Sequence, residues 1–327
     1  MALSLRRGRV TAVVERHEGL VRLEVDGTAC IAYPGLTGPV ALEDDVLVNV
    51  QARELALGSG GFDVLYANLT RGFGLAAEEG AHVMKLPYTP LQVAVRHVEE
   101  EGPLAESLSG MPVVCCSVHS QLAPVCAALG GLRVAYLQVA GGALPVPLSD
   151  TVRALRRRGL LEVAVAVGAC VDGDVQAVTV ASGLAWAGAA GFEAAVCAVG
   201  PGIVGTGSTL GHGGLAAAAS AHAAVASGGN AVIAVRMSEG DPRPRHRGLS
   251  HHTRSVIELG PSGALVAWPK GMPAPEWLRS YEEVDVMGWQ EACAGLPLSH
   301  MGRGPDEDPA FFAAAYAAGA YARSLLG

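Results

Sequence analysis

The chain reads as an α/β protein: a Rossmann-like, mostly parallel sheet with helices on both faces, preceded by a small N-terminal all-β barrel-like module. Three observations predict this. Residues 7–57 hold short β-rich runs separated by glycine turns. From about residue 82, continuously apolar runs alternate with helical segments, the pattern of a parallel sheet covered on both faces. Between Ala194 and Thr253, a strand, a glycine turn, an Ala-rich helix, a second strand and a polar loop follow one another as in a βαβ unit.

With 327 residues, 50% of them apolar and 17% charged, the chain suits one large and one small core, and the division is expected near residue 80: 1–80 for the β-module and linker, 81–327 for the α/β domain. A net charge of -8 argues against nucleic acid and against a membrane surface as partners. The first residues lack the apolar stretch of a signal peptide, and no uncharged run suits a spanning helix. Most of the seven cysteines sit inside apolar runs, as reduced thiols do in a cytoplasmic protein.

In the N-terminal module, Val10–Val14, Leu20–Val25, Cys30–Tyr33 and Val46–Val50 are strand-like, and Phe62–Leu69 adds one more run before a glycine-rich boundary. Their spacing fits a five-stranded barrel or a sandwich. Apart from Tyr33 they lack the interleaved aromatic and basic residues of an oligonucleotide barrel, so an oligomer contact or lid is expected, and with it a homo-oligomer. A helix is expected around Gln92–Glu101.

Strands follow at Val113–Val118, Arg133–Val139, Val163–Val167, Ala194–Val199 and Ala231–Val235, with helices near 121–129, 148–159, 174–190 and 209–228. Ser149 or Asp150 caps the second helix. Ser255–Leu259 and Ala264–Trp268, split by Gly260-Pro261-Ser262-Gly263, read as a hairpin extending the sheet. Asp308 and Pro309 open a last helix with Phe312, Ala315, Tyr316 and Ala320 on one face, where Gly319 lets a neighbour pack closely.

Ligands of open parallel sheets sit beyond the carboxyl ends of the strands, and here every strand end delivers glycine or polar residues. The turn Gly200–Ser208 contains Gly-x-Gly-x-x-Gly; Gly200, Gly202, Gly205, Thr206, Gly207 and Ser208 are candidates to cradle an anion on backbone amides. The Gly-Lys-Ser/Thr of a phosphate loop is missing, and the first acidic residue after the next strand, Glu239, lies too far on for a dinucleotide fingerprint. Packing of helix on strand is the competing use of these glycines. Arg236, Arg243, Arg245, Arg247 and Arg254, against Glu239 and Asp241, form a basic island in an acidic chain, suited to phosphate or carboxylate through Arg243, Arg245 and Arg247, or else to surface ion pairs. Asp241, His246, His251 and His252 are the candidates for catalysis, with Asp241, His246 and His251 as potential ligands of a divalent metal. His119 and Ser120, at the end of the first α/β strand, and Arg303, before the last helix, are further candidate contacts.

Five stretches, Lys85–Gln92, Val118–Gln121, Gly200–Gly207, Arg243–Thr253 and Met301–Arg303, resemble a bacterial family catalogued only as a domain of unknown function. The resemblance runs along nearly the whole chain and implies one fold and no activity. From composition and motifs, the expected ligand is an anionic, phosphate-bearing small molecule. An enzyme built this way is a hydrolase or transferase, with or without a divalent metal; the alternative is a non-catalytic metabolite sensor or a structural homo-oligomer.

Overall fold

The computed structural model describes residues 3–56, 60–72, 75 and 78–327. Of the glycine-rich boundary read at residues 58–80, residues 58–59, 73–74 and 76–77 lie outside the described residues. The chain divides into two compact units, Met1–Val95 and Arg96–Gly327.

The first unit is a closed barrel with strand order β1-β2-β3-β5-β4. Its strands are β1 (Leu5–His17), β2 (Leu20–Val25), β3 (Thr28–Ala32), β4 (Asp45–Asn49) and β5 (Asp63–Asn68), with one-turn helices α1 (Pro34–Thr37) and α2 (Gln51–Glu54) between them. Closure depends on β1, which pairs with β4 through Leu5–Arg9 and with β2 from Val10 onward. Two register shifts after Val10 bend it between its partners, as bulges do at barrel corners. The inward-facing alternates, among them Val10, Leu23, Val46, Val48 and Leu65, form the barrel's own core. A two-stranded ribbon of β6 (Val83–Lys85) and β7 (Val93–Val95) follows. The helix expected over Gln92–Glu101 is replaced by β7 and a single 3-10 turn at Val98–Glu100. Val93 and Val95 are β-branched and pair across the ribbon, which outweighs a weak helical pattern.

The second unit holds an eight-stranded, all-parallel sheet in the order β11-β10-β9-β12-β8-β13-β16-β17. The strands and helices run β8 (Pro112–Cys116), α3 (Leu122–Ala128), β9 (Val134–Val139), α4 (Asp150–Arg157), β10 (Val163–Val167), β11 (Val175–Ala177), α5 (Val180–Ala189), β12 (Ala194–Val199), α6 (Ala216–Ala226) and β13 (Asn230–Ala234). A small ribbon, β14 (Met237–Ser238) with β15 (Gly248–Leu249), precedes α7 (His251–Leu259), β16 (Leu265–Pro269), β17 (Glu282–Val284), α8 (Trp289–Cys293) and α9 (Pro309–Ser324). Both sheet faces are dry. Val114, Cys116 and Tyr136 pack with α3, α4, α8 and α9 on one side, while Val113, Cys115 and Leu137 pack with α5 and α6 on the other. That two-sided burial is why these strands are apolar without alternation.

Three readings of this region change, the first being that Val175–Ala177, expected within a helix over 174–190, is strand β11 paired with β10, and α5 starts only at Val180. Ser255–Leu259 is the second half of helix α7, not a strand, so β16 enters as one more parallel strand and not as half of a hairpin. The short apolar run Ser255-Val256-Ile257 suits either element; the cap at Ser250, whose hydroxyl accepts from the His252 amide, decides for helix. Asp308 stands at the start of α9, followed by Pro309, but its side chain caps nothing; it is spent on the loop described below. Ser149 does cap α4.

Gly319 performs as its position suggests. A Cβ there would lie 2.3 Å from the Val125 carbonyl oxygen and 2.8 Å from the Ala128 Cβ, so α3 and α9 touch through it. Gly319→Ala should therefore destabilise by about 1–3 kcal/mol even though alanine is the better helix former. Urea unfolding measures this, and a more stable variant would show that the helices are not in close contact.

Candidate functional site

Strand order reverses at the ends of β8, β12 and β13, the position at which open α/β sheets carry their ligand crevice. From β8 the chain turns toward one edge of the sheet, and from β12 it crosses past β8 to reach β13 on the other side. β8 and β12 are neighbours, yet α3 leaves to one face and α6 to the other. Their ends thus diverge, as at the switch points where open α/β sheets bind ligands. Buried side chains fix the three ends. Gln121 accepts from the amides of Ser117 and Val118 and donates to the carbonyls of Ala234 and Val235, joining the ends of β8 and β13. His119 lies 3.2 Å from the Val199 carbonyl and 2.7 Å from Ser149 Oγ, joining β8 to β12 and to the start of α4.

An ion network fills the segment after β13. Asp241 is fully buried and takes Arg243 in a two-pronged grip, Nε to Oδ1 at 2.9 Å and Nη2 to Oδ2 at 2.8 Å. Arg303 and Arg236 approach the same carboxylate at 3.4 and 3.7 Å. Arg303 also donates to Asp308, which accepts from Ser238 Oγ and the Glu239 amide. The Arg243 fork holds the Asp241 carboxyl well below the usual carboxylate range. Arg236 is 2% exposed and its Nε has no partner; burial pulls its guanidinium down to about 10. Arg303 arrives through a two-residue turn, His300 to Arg303, in which Met301 (φ 52°) and Gly302 (φ 78°) are both left-handed. That is the primed-turn geometry in which glycine is favoured, and it sets His300 beside Arg303.

Around Arg236 stand five imidazoles. His212, His246, His251 and His252 form one cluster, with His212 stacked on His252 at 3.7 Å between ring centres. Arg236 Nη1 donates to His252 Nδ1 at 3.1 Å, and His246 Nδ1 meets Ser250 Oγ at 2.7 Å. His300 stacks on Phe311 and bonds Ser120 Oγ through Nδ1 at 2.9 Å, leaving Nε2 buried and unpartnered. Both nitrogens of His212 and Nε2 of His251 are also buried without a partner; the Thr209 carbonyl favours a charged His212 only from outside hydrogen-bond geometry. Burial, reinforced by the nearby guanidinium groups, pushes His246 and His300 each down to about 3 and lowers His251 and His252 as well. These shifts hold the rings uncharged at neutral pH; the His252 lone pair is taken by Arg236, while nitrogens of His212, His251 and His300 stay unpartnered.

The structure brings Asp241, His246, His251 and His252 together, with Arg243 and Arg303 tied to Asp241. Arg245 and Arg247 are exposed, and neither guanidinium has a partner among the described residues. His119 is committed on both nitrogens to the scaffold. Ser120 meets the site through His300. The glycine turn has a different geometry from the expected cradle, because α6 starts only at Ala216. Residues 204–213 instead form a hairpin whose exposed tip is tied by Thr206 and Ser208 to Gly211, and His212 stands at its base. Gly200 packs against the Ala143 carbonyl, 2.1 Å from a built Cβ, while Gly202, Gly205 and Gly207 lie exposed or nearly so along the excursion. Only His251 of the expected metal set belongs to the three side chains whose nitrogens converge: His212, His251 and His252, within 4.8 Å of one another. The sequence places Arg236 in the basic loop and His300 in the segment before the last helix that could close over the site, but gives Asp308 no site role. A carboxylate before proline reads as a helix cap whichever donor it takes.

A two-unit α/β protein with guanidinium groups and neutral imidazoles gathered at the switch point of its parallel sheet is the class that this fold and site define. Among the described residues, no helix is long and apolar enough to cross a membrane. The chain belongs to the family described as Protein of unknown function (DUF3866), whose model matches residues 29–319 and so runs from β3 into α9. No curated protein matches it.

Proposed function

We propose that the crevice binds an anionic, phosphate-bearing small molecule. One observation carries the reading: three guanidinium groups, Arg236, Arg243 and Arg303, meet only two carboxylates, Asp241 and Asp308, in a largely buried network. The three charges exceed the two carboxylates, and Arg236, the most deeply buried of them with Nε unpartnered, lacks a full match, which a buried charge needs. Arg245 and Arg247, exposed on the same loop, supply a second grip for a bound phosphate. A bound anion would raise the depressed pKa values of the imidazoles beside it toward neutrality, the range that hydrolase or transferase acid–base chemistry uses.

A thermal-shift panel of nucleotides, dinucleotides and sugar phosphates, with and without divalent metals, tests this. A binder present at about a hundred times its dissociation constant adds about 2.7 kcal/mol of stability. Arg245→Ala, exposed and unpaired in the fold, should weaken that binder at least about tenfold, the loss of one charge-assisted contact. A panel with no response, or a response indifferent to Arg245, would contradict the reading.

A further inference from the structure

We propose that His212, His251 and His252 form a binding site for a divalent transition-metal ion. The inference uses the same crevice as the anion reading but does not require an anion to be bound. One nitrogen of each ring lies within 4.8 Å of the other two. A point central to three atoms so spaced is at most about 2.8 Å from each, and small side-chain shifts bring that to the roughly 2.0–2.1 Å of a metal–imidazole bond. His212 is 6% exposed with both ring nitrogens unpartnered, and His251 Nε2 is buried and unpartnered too. A water molecule is the rival occupant. It can donate to His212 and His251 and accept from the remaining N–H of His252, so metal titration separates the two occupants. An all-imidazole donor set selects zinc, cobalt, nickel or copper over magnesium or calcium.

Two contacts change when the ion enters. The rings of His212 and His252 are stacked 3.7 Å apart at 12°, and two nearly parallel planes cannot both contain one ion. His212 therefore turns out of the stack, which no hydrogen bond opposes. At His252, Arg236 now donates to Nδ1. An ion at Nδ1 releases Arg236, and an ion at Nε2 displaces the proton carried there. His246 and Asp241 stay outside the set, held by Ser250 and by Arg243. Three protein ligands leave a position open, and the metal adds positive charge where one is already in surplus, so an anion in that position binds together with the metal.

Zinc and cobalt(II) are titrated into the chelator-treated full-length chain, followed by calorimetry and, for cobalt, by visible absorption. One equivalent should bind. Changes around a metal's ligands already cost 10–100-fold, so His212→Ala and His251→Ala should each weaken binding by roughly 100-fold or more. His251 is only half-buried, so its variant is the safer test of a folded protein, and circular dichroism of both apo variants confirms folding. His222→Ala, on the exposed side of α6, should bind as the wild type does. Inorganic phosphate should tighten the metal at least about fivefold, and by linkage the metal should tighten phosphate equally. No uptake at neutral pH, or wild-type affinity in both variants, overturns the metal site. A phosphate response without metal uptake leaves the anion reading standing alone; metal uptake indifferent to phosphate supports the metal site and counts against the anion reading.

Discussion

Asp241→Ala should cost about 3–5 kcal/mol of stability, the largest effect of any single change at the site. The carboxylate is fully buried, and Arg243, Arg303 and Arg236 all direct charge at it. Removing it leaves Arg236, itself 2% exposed, without its nearest counter-charge. Breaking a buried ion pair from one side is costly because the remaining charge stays desolvated. The partner change is expected to be milder. Arg243 is a third exposed, and its loss leaves Asp241 still facing two guanidinium groups. Urea unfolding of Asp241→Ala and Arg243→Ala compares the two directly. A loss below about 1 kcal/mol in Asp241→Ala would mean that the network is solvated and not structural.

Stability should also fall steeply between pH 6.5 and 5. His119 is pushed down to about 4 by burial, opposed by its bond to the Val199 carbonyl, and His300 down to about 3 by burial and by Arg236 and Arg303. In the unfolded chain both rings titrate near pH 6.5. Below that pH the unfolded state binds protons that the folded state refuses, so their contribution is complete above about 6.5. It is lost progressively as pH falls toward the folded values. Each ring contributes a slope of up to about 1.4 kcal/mol per pH unit, so the pair gives nearly 3. His246 and His252 are shifted in the same direction and steepen the loss. Native carboxylates such as Asp241 and Asp44 are held below their ordinary range and protonate at lower pH, outside this window. Urea midpoints at pH 7.5, 6 and 5, taken with a chelator, should decline throughout. A flat profile would place these rings in contact with water.

The sheet was legible because burial on two faces leaves a simple trace. Val163–Val167 and Ala194–Val199 were delimited to the residue by their apolar runs alone. The barrel strands were found by their turns, with Leu20–Val25 again matched end to end. What failed was short and locally ambiguous. Ser255–Leu259 is helical because Ser250 caps it, and Val93–Val95 is a strand because it has a ribbon partner. At the site, the His and Arg loop announced itself by composition. Its wiring did not, because Asp308 and His300 reach it from 60 or more residues along the chain, through contacts that only the fold creates. The glycine turn shows the opposite error. Gly-x-Gly-x-x-Gly after a strand resembled a cradle, whereas Gly200 here meets the backbone of Ala143 and the remainder form a hairpin.

The central claim is that one anion belongs in the crevice around Arg236. A crystal structure of the protein grown with pyrophosphate tests it most directly. The account predicts a phosphoryl group within hydrogen-bond reach of Arg236 Nε or His300 Nε2, with Arg245 ordered over it. Pyrophosphate bound elsewhere on the chain, or a crevice filled only by water at saturating ligand, would contradict it.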